Sequence, residues 1–185
     1  MSTATTTPTH ARTLWKIDPA HSLIEFGVRH LMITTVKGRF GGVEGTVQLD
    51  EADPAFADVD VRIDAASIDT REPQRDAHLR SADFFDAEKY PHLTFTTKRP
   101  IKRRGNEFEL VGDLTIHGVT REVVLDVTEE GRGKDPWGGE RLGFSATTKI
   151  KRSDFGLTWN QALETGGVLV GDDIKISLDL ELLKS

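Results

Sequence analysis

The sequence Ile174-Lys175-Ile176-Ser177-Leu178-Asp179-Leu180-Glu181-Leu182 decides the fold class, because apolar and polar residues alternate through it without a break. A period of two is typical of a β-strand that buries one face and exposes the other. The same alternation begins near Thr13 and is clear at residues 24–29, 43–49, 58–64, 123–127 and 142–150. We therefore predict an all-β protein whose single domain covers residues 13–185.

Turn signals between these runs predict how the strands connect. The pairs Asp53-Pro54, Gly105-Asn106 and Gly166-Gly167 are typical of tight turns. Most connections are too short for a parallel crossover, which needs a dozen or more residues, so we expect antiparallel neighbours. About eight strands are expected, the number at which a single closed barrel can hold one small ligand. Gly112 lies inside one run and predicts a bend, a bulge or a close backbone approach.

The composition excludes several classes of protein. The chain has 185 residues, a net charge of -6 and no cysteine, so nucleic acid is not an expected partner and zinc-thiolate sites and disulfides are excluded. No window approaches the roughly 18 apolar residues of a membrane-spanning helix. Residues 1–12 are polar and Thr-rich, without the apolar stretch of a secretory signal, so we expect a disordered tail and a cytoplasmic protein.

Two segments interrupt the strand pattern. Residues 75–91, RDAHLRSADFFDAEKYP, combine charged helix formers with the paired aromatics Phe84 and Phe85. A barrel with an apolar interior needs its open end covered, so we expect this segment to form a short helical lid. Residues 153–157 form the second break, with Ser153 and Asp154 as expected caps and Gly156 as its stop. The arginines of the first segment are expected to form ion pairs with nearby acids: Arg71, Arg75 and Arg80 with Asp76, Asp83 or Asp86.

The sequence contains few candidates for catalysis. It has no nucleophile elbow, phosphate-binding loop or dinucleotide fingerprint. The histidines lack the spacing of a metal motif, so we expect structural roles for them and no metal site. His30 and His78 lie near the predicted barrel mouth and are the residues that an enzyme would use. The basic run at residues 98–104 has two interpretations, a solvated hairpin or a transient contact with anionic lipid head groups.

Six motifs, in order, resemble those of the YceI-like, polyisoprenoid-binding proteins. They are WKIDPAHS (15–22), HLMITTVKGRF (30–40), IDAASIDT (63–70), the segment at 75–91, GDLTIHGVT (112–120) and DFGLTWN (154–160). The resemblance covers nearly all of the chain after the tail. It implies a lipocalin-like, extended antiparallel barrel with one or two short helices near the mouth. Many relatives carry a secretory signal and work in the periplasm, whereas no such signal is visible in residues 1–12.

The resemblance also implies a ligand. An apolar tunnel would hold a long-chain amphiphile such as a polyprenyl phosphate or an isoprenoid quinone, for storage or transport, and other members bind fatty acids or their amides. It implies no catalytic residue and no cofactor apart from the lipid itself. Two alternatives stay open: an enzyme of isoprenoid, quinone or fatty-acyl metabolism that uses the same tunnel, and a stress-related module without a ligand. An isologous homodimer is a base-rate expectation for a small barrel.

The predicted site divides into three groups of residues. The tunnel wall is expected to include strand residues with apolar side chains: Phe26, Val28, Leu114, Ile116 and Phe144. The entrance is expected to include apolar residues of the irregular segments: Leu31, Met32, Phe84, Phe85, Phe155 and Trp159. The candidates for contact with the ligand head group are polar: His30, Arg75 and Asn160.

Overall fold

The computed structural model of the protein describes residues 11–185, apart from the side chains of residues 100–103. Residues 1–10 of the predicted tail lie outside the described residues, and the first strand begins at Arg12. The described part has one α-helix, α1 (Pro73–Arg80), and four 3-10 turns, at Pro19–His21, Pro54–Phe56, Ala65–Ser67 and Arg152–Phe155. It has eleven strands: β1 (Arg12–Ile17), β2 (Leu23–His30), β3 (Thr34–Phe40), β4 (Val43–Asp50), β5 (Asp58–Asp64), β6 (Ile68–Asp69), β7 (His92–Arg104), β8 (Glu107–Ile116), β9 (Val119–Lys134), β10 (Glu140–Lys151) and β11 (Val170–Lys184).

The sheet closes on itself. Eight strands form a ring in the order β1-β4-β5-β7-β8-β9-β10-β11, and β11 pairs back with β1 through Ile17 and Leu182. Every strand pairing recorded between described residues is antiparallel. The long strand β11 shares its second edge between β1 and β2, and β3 and β6 extend the sheet beyond β2. The fold is a single extended antiparallel barrel of the lipocalin-like type, as the sequence predicted.

The strand period determines which side chains fill the barrel. Along β11 the apolar members of the alternating run point inward, whereas Lys175, Ser177 and Asp179 are exposed. The most deeply buried large side chains include Trp15 and Leu49 from the first and fourth strands and Leu142 and Leu182 from β10 and β11. Since Leu142 and Leu182 are register partners, this end of the barrel is packed solid by side chains.

Gly112 on β8 marks a close approach, as predicted. A Cβ atom at this position would lie 2.4 Å from the Phe95 ring and 2.7 Å from the carbonyl oxygen of Thr96. The neighbouring strand β7 shifts register between Thr97 and Arg99, where one extra residue bends the ladder. The glycine therefore lets the Phe95 ring lie over the backbone where the wall curves.

The segment at 75–91 contains the predicted short helix, but its charges are used differently from the prediction. No ion pair in the described part joins Arg71, Arg75 or Arg80 to the three acids predicted as partners. Instead Arg80 donates to the carbonyl oxygens of Ala66 and Ile68, at 2.8 and 3.0 Å. These hydrogen bonds attach the C-terminal end of α1 to the residues around the two-residue strand β6, which pairs with β3.

Asp76 of α1 is buried and anchors the helix start to the preceding strand. Its Oδ1 accepts hydrogen bonds from the backbone N–H and the hydroxyl of Thr70, at 2.9 and 2.5 Å. Arg75 donates to the hydroxyl and carbonyl oxygens of the same threonine. The helix is thus fixed to the barrel by hydrogen bonds at both ends. None of the helices in residues 11–185 has the length and apolarity needed to cross a membrane.

Candidate functional site

The barrel contains an elongated cavity of about 390 Å³. That volume lies within the range of small-molecule sites in proteins. Its lining follows β11 from Val170 to Leu182, about 40 Å measured along the strand at the usual rise per residue. Val170 pairs with His30 at one end, and Leu182 pairs with Ile17 at the other. The site is a narrow channel along the barrel, lined mainly by apolar side chains.

The five residues predicted as tunnel wall all line the cavity: Phe26, Val28, Leu114, Ile116 and Phe144. The Phe26 ring packs against Phe40 with a centroid distance of 5.7 Å, and Phe144 meets Phe108 edge-on at 6.3 Å. Other lining residues were not predicted, although they share the phase of the same strands: Ile24, Val36, Val61, Leu125, Ala146 and Ile176. Extending the alternation along each strand would have found them.

Four residues predicted at the entrance also line the cavity, namely Phe84, Phe85, Phe155 and Trp159. Phe84 and Trp159 lie 5.3 Å apart, and the His78 ring contacts both, at 5.1 and 4.8 Å. Phe85 meets Phe40 edge-on at 5.8 Å. The residues after α1 therefore lie across the Val170 end of the cavity, in the place predicted for a lid.

Leu31 and Met32 are not among the residues that line the cavity. They form the turn between β2 and β3, where Met32 is 61% exposed, and both have left-handed backbone angles, φ 53° and 57°. A hairpin turn breaks the in–out alternation of the strands it joins, and both side chains therefore point away from the barrel.

The three head-group candidates have different positions. His30 and Arg75 line the cavity at its Val170 end. Asn160 does not line it, because its side-chain amide pairs with the backbone of Val170, accepting from N at 3.1 Å and donating to O at 2.8 Å. The Asn160 side chain therefore takes the place of a strand neighbour beside β11. A ligand contact by any of the three stays a prediction.

Arg152 is the functional candidate that the sequence reasoning missed. It is 6% exposed, lines the cavity, and donates four hydrogen bonds to backbone carbonyl oxygens. The acceptors are Gly171 and Leu157 and Trp159 at 2.8 Å and Val170 at 3.2 Å. Burial lowers the pKa of the guanidinium, and the charge of Asp172 partly opposes that effect. An arginine at a strand end in a charged stretch, Lys149 to Asp154, is indistinguishable in sequence from a solvated residue.

The turn that carries Arg152 confirms one expectation and corrects another. Gly156 ends the turn with φ 75°, as predicted for a stop. The predicted caps are wrong, because no side chain caps this turn; Ser153 instead donates its N–H and hydroxyl to Asp172, at 3.0 and 2.7 Å. Asp172 follows the start of β11, so the turn is attached to that strand at the cavity end.

Three of the histidines in the described part have local partners. His78 Nε2 lies 2.8 Å from Asp83, His21 Nδ1 lies 2.8 Å from Asp18, and His117 packs against Tyr90. The one group of possible metal ligands found in the described part is Asp18, His21 and Glu181. Arg141 Nη1 lies 2.8 Å from Asp18 and 2.5 Å from Glu181, so a side-chain cation already neutralises these carboxylates.

The basic run at 98–104 lies within β7, which ends at Arg104. Lys98 pairs with Asp113 and Glu122, both at 3.2 Å, and Arg99 pairs with Glu122 at 3.5 Å. The hydrogen bond to Asp113, and then that to Glu122, raises the pKa of Lys98. The side chains of residues 100–103 lie outside the described part. Lys98 and Arg99, the first two cations of the basic run, therefore pair with acids on β8 and β9, as the solvated-hairpin interpretation predicts.

The fold and the cavity together define a lipocalin-like β-barrel with an apolar interior. The family model for the YceI-like domain matches residues 15–182, and the chain belongs to this family. Protein YceI of Escherichia coli O157:H7 is 44% identical over 145 residues, which are 77% of this chain and 75% of that protein. The resemblance drawn from the six motifs is thus confirmed.

Two solved structures are similar to this barrel. The crystal structure of Burkholderia cenocepacia BcnA matches with a TM-score of 0.78 and 27% identity, over 89% of this chain and 98% of that one. A polyisoprenoid binding domain from Saccharophagus degradans, implicated in plant cell wall breakdown, matches with a TM-score of 0.66 and 16% identity, over 92% and 98% of the two chains. The second likeness is one of fold alone.

Proposed function

We propose that the protein binds a long-chain amphiphilic lipid of the polyisoprenoid class, such as a polyprenyl phosphate or an isoprenoid quinone, and stores or transports it without chemical change. The observation that carries the proposal is the continuous apolar lining along β11, from Val170 to Leu182. Family membership supports it, as does the fold shared with a polyisoprenoid binding domain.

The binding energy would come from burial of the chain. Each CH₂ group moved from water into an apolar site contributes about 0.8 kcal/mol, so several isoprene units bind tightly without directional contacts. The narrow channel between Val170 and Leu182 favours a slender chain over a compact ligand. Chain length is then selected by the packed end near Leu142 and Leu182, which are both 1% exposed.

Binding without catalysis is supported by the state of the polar groups at the cavity. Arg75 is hydrogen-bonded to Thr70 and Arg152 to four carbonyl oxygens, and a protonated guanidinium has no lone pair with which to act as a base. A general base needs a nitrogen or oxygen within hydrogen-bond reach of the substrate proton. His30 and His78 are the candidates for that role, since Asp83 engages only one ring nitrogen of His78, and the enzyme alternative requires turnover that disappears when either histidine is changed.

We also propose a cytoplasmic location, a transient membrane contact through the basic run and a homodimer, all three as predicted from the sequence. A carrier of this kind would take its ligand from a membrane and shield it from water. Fractionation of cells into cytoplasm and periplasm, with sedimentation of the purified protein, checks the location and the oligomeric state.

A blocking substitution tests the function. Ala146 on β10 is buried and lines the cavity, whereas the next residue, Thr147, is exposed. Ala146→Phe places a ring in the channel, and Thr147→Phe adds the same ring outside it. We expect protein purified under native conditions to release a long-chain lipid on organic extraction, detected by mass spectrometry. The Ala146→Phe variant should lose that lipid and the Thr147→Phe variant should keep it.

The result that overturns the proposal is equally concrete. If both phenylalanine variants and the unmodified protein contain no lipid, and none of them binds added farnesol or a longer prenyl alcohol, the barrel is a ligand-free module. Time-dependent conversion of a bound prenyl lipid, lost in His30→Gln, would instead establish the enzyme alternative.

A further inference from the structure

Most of the ionisable residues around the cavity lie at one end. Those that contribute to the lining are Glu25, Arg29, His30, Arg75, His78 and Arg152. They belong to β2, α1 and the turn at Arg152–Phe155, and all lie near Val170 except Glu25, whose register partner on β11 is Ser177. Towards Leu182 the lining consists of apolar residues such as Ile17 and Val47. The channel therefore has an apolar end and a charged end.

The charged end is basic on its inner side. Glu25 and Arg29 alternate out of phase with Phe26 and Val28 on β2, so their side chains point outward. Arg29 donates to the carbonyl oxygen of Met32 at 2.9 Å, which places its guanidinium at the turn. The groups that remain on the inner side are two histidines and two arginines, with no acidic residue among the lining residues other than Glu25.

Arg75 is exposed and Arg152 is 6% exposed, so of the two arginines Arg152 is the one whose charge is buried. None of the ion pairs recorded for the described residues includes it, and the oxygens of Asp172 accept from Ser153. Its four recorded hydrogen bonds go to neutral carbonyl oxygens, one from Nε, two from Nη1 and one from Nη2. A guanidinium has five N–H groups, so one N–H of Nη2 has no acceptor in the described part.

A buried positive charge with this arrangement favours an anion. Arginine keeps its proton even when buried, and burying a charge is costly unless an opposite charge compensates it. Carbonyl dipoles satisfy most of the N–H groups but leave the net charge. Apolar walls also weaken the screening that water would provide, so the charge acts over a longer distance inside the channel.

We propose that the Val170 end of the cavity is an anion site, in which Arg152 receives a phosphate or carboxylate head group while the chain extends towards Leu182. This inference rests on the proposed lipid binding and adds the chemistry of the head group. Arg75 and His30 lie at the same end and are placed to contact the outer oxygens of such a group. The acids that face these cations are engaged by other groups: Asp83 is bonded to His78, Asp172 to Ser153, and Asp76 to Thr70, to which Arg75 also donates.

The anion site can be tested in the unmodified protein by the direction in which the pKa of a bound carboxylic acid shifts from that of the free acid. Hexadecanoic acid labelled with ¹³C at the carboxyl carbon is bound, and its chemical shift is followed against pH by NMR. A carboxyl group at a cationic site has a pKa below that of the monomeric acid, whereas one buried in an apolar channel has a raised pKa. We expect a decrease of one unit or more, a tenfold preference for the anion; an increase overturns the inference.

A matched pair of variants assigns the effect to Arg152. Arg152→Gln removes the charge at the cavity, and Arg121→Gln removes an exposed arginine that donates to Asp154 of the same turn but does not line the cavity. We expect the lowered ligand pKa to disappear in the first variant and to persist in the second. If Arg152→Gln does not fold, the titration of the unmodified protein decides alone.

Matched ligands separate this inference from the function it rests on. Dissociation constants are measured at pH 8 for hexadecanol, hexadecanoate and hexadecyl phosphate. At least tenfold tighter binding of either anion than of the alcohol supports the anion site, and the stronger anion identifies the head group as carboxylate or phosphate. Equal binding of all three overturns the anion site and leaves lipid binding intact, whereas no binding of any of them overturns both.

Discussion

Gly38 and Phe26 are register partners on β3 and β2, and the Phe26 ring lies directly over the glycine. A Cβ atom on Gly38 would be 2.4 Å from the tip of that ring and 2.9 Å from the Thr70 methyl group. Because Phe26 also lines the cavity, the missing side chain at Gly38 sets the width of the channel at this level.

Gly38→Ala should therefore destabilise the protein and narrow the channel. The added methyl group must displace the Phe26 ring, and overpacking of this kind costs about 1–3 kcal/mol. Chemical denaturation measures the loss in the free energy of unfolding. A lower affinity for a prenyl alcohol would show that the displaced ring narrows the channel. Gly41→Ala is the matched control, since a Cβ there meets nothing within 4 Å. Equal stability of the two variants would contradict the role assigned to Gly38.

Asp18 makes stability depend on pH at the acid end. Hydrogen bonds from His21, and then from Arg141, lower the pKa of Asp18 from 3.8 to about 2. A lowered native-state pKa stabilises the fold fully above pH about 4, and that contribution is lost as the pH falls towards 2. We expect Asp18→Asn to cost about 1–2 kcal/mol at pH 7, after allowance for solvent screening, and much less at pH 2.

Urea denaturation of the two proteins at pH 7, 4 and 2 measures this effect. Asp179→Asn is the control, because Asp179 is exposed on β11 and has no ion pair recorded within the described residues. If the two proteins differ in free energy of unfolding by as much at pH 2 as at pH 7, stability is not linked to the ionisation of Asp18.

The turn between β2 and β3 stores backbone strain at Met32. A left-handed conformation costs an L-residue about 1–2 kcal/mol, whereas glycine adopts it readily. The Met32 side chain is mostly exposed, so removing it loses little packing. Met32→Gly should exceed Met32→Ala in stability by about 1 kcal/mol, since both lack the side chain and only glycine relieves the strain. Thermal unfolding compares the stability of the two variants. If the alanine variant is the more stable, the backbone at Met32 is not strained.

Trp159 should report ligand binding by its fluorescence. Of the three tryptophans, Trp159 lines the cavity, Trp15 is fully buried outside the lining, and Trp137 is 87% exposed. Titration with a prenyl alcohol should change the emission of the unmodified protein and of Trp137→Phe, but not that of Trp159→Phe. A ligand-induced change that persists without Trp159 would place the ligand elsewhere.

The sequence determines which side chains face the cavity where phase within a strand decides their direction, and ligand contact by these side chains stays a prediction. Phe26, Val28, Leu114, Ile116 and Phe144 line the cavity because each shares the phase of a buried strand face. The direction of side chains at turns does not follow from strand phase: Leu31 and Met32 have left-handed backbone angles and do not line the cavity. The lid residues Phe84 and Phe85 were located by the break in strand period, a signal that is also local.

The alternation of residues 174–182 was by itself enough to determine a barrel strand with one apolar face, since the direction of successive side chains is a local property of the extended backbone. The tertiary structure alone decided what Arg152 contacts. Its acceptors at Val170 and Gly171 approach it only when β11 pairs with β10, and those at Leu157 and Trp159 only when the chain after the turn folds back over it. Burial and the lack of a direct ion pair within the described residues are properties of that assembled surrounding, so a basic residue that resembles a solvated one in sequence becomes the charged end of an apolar channel.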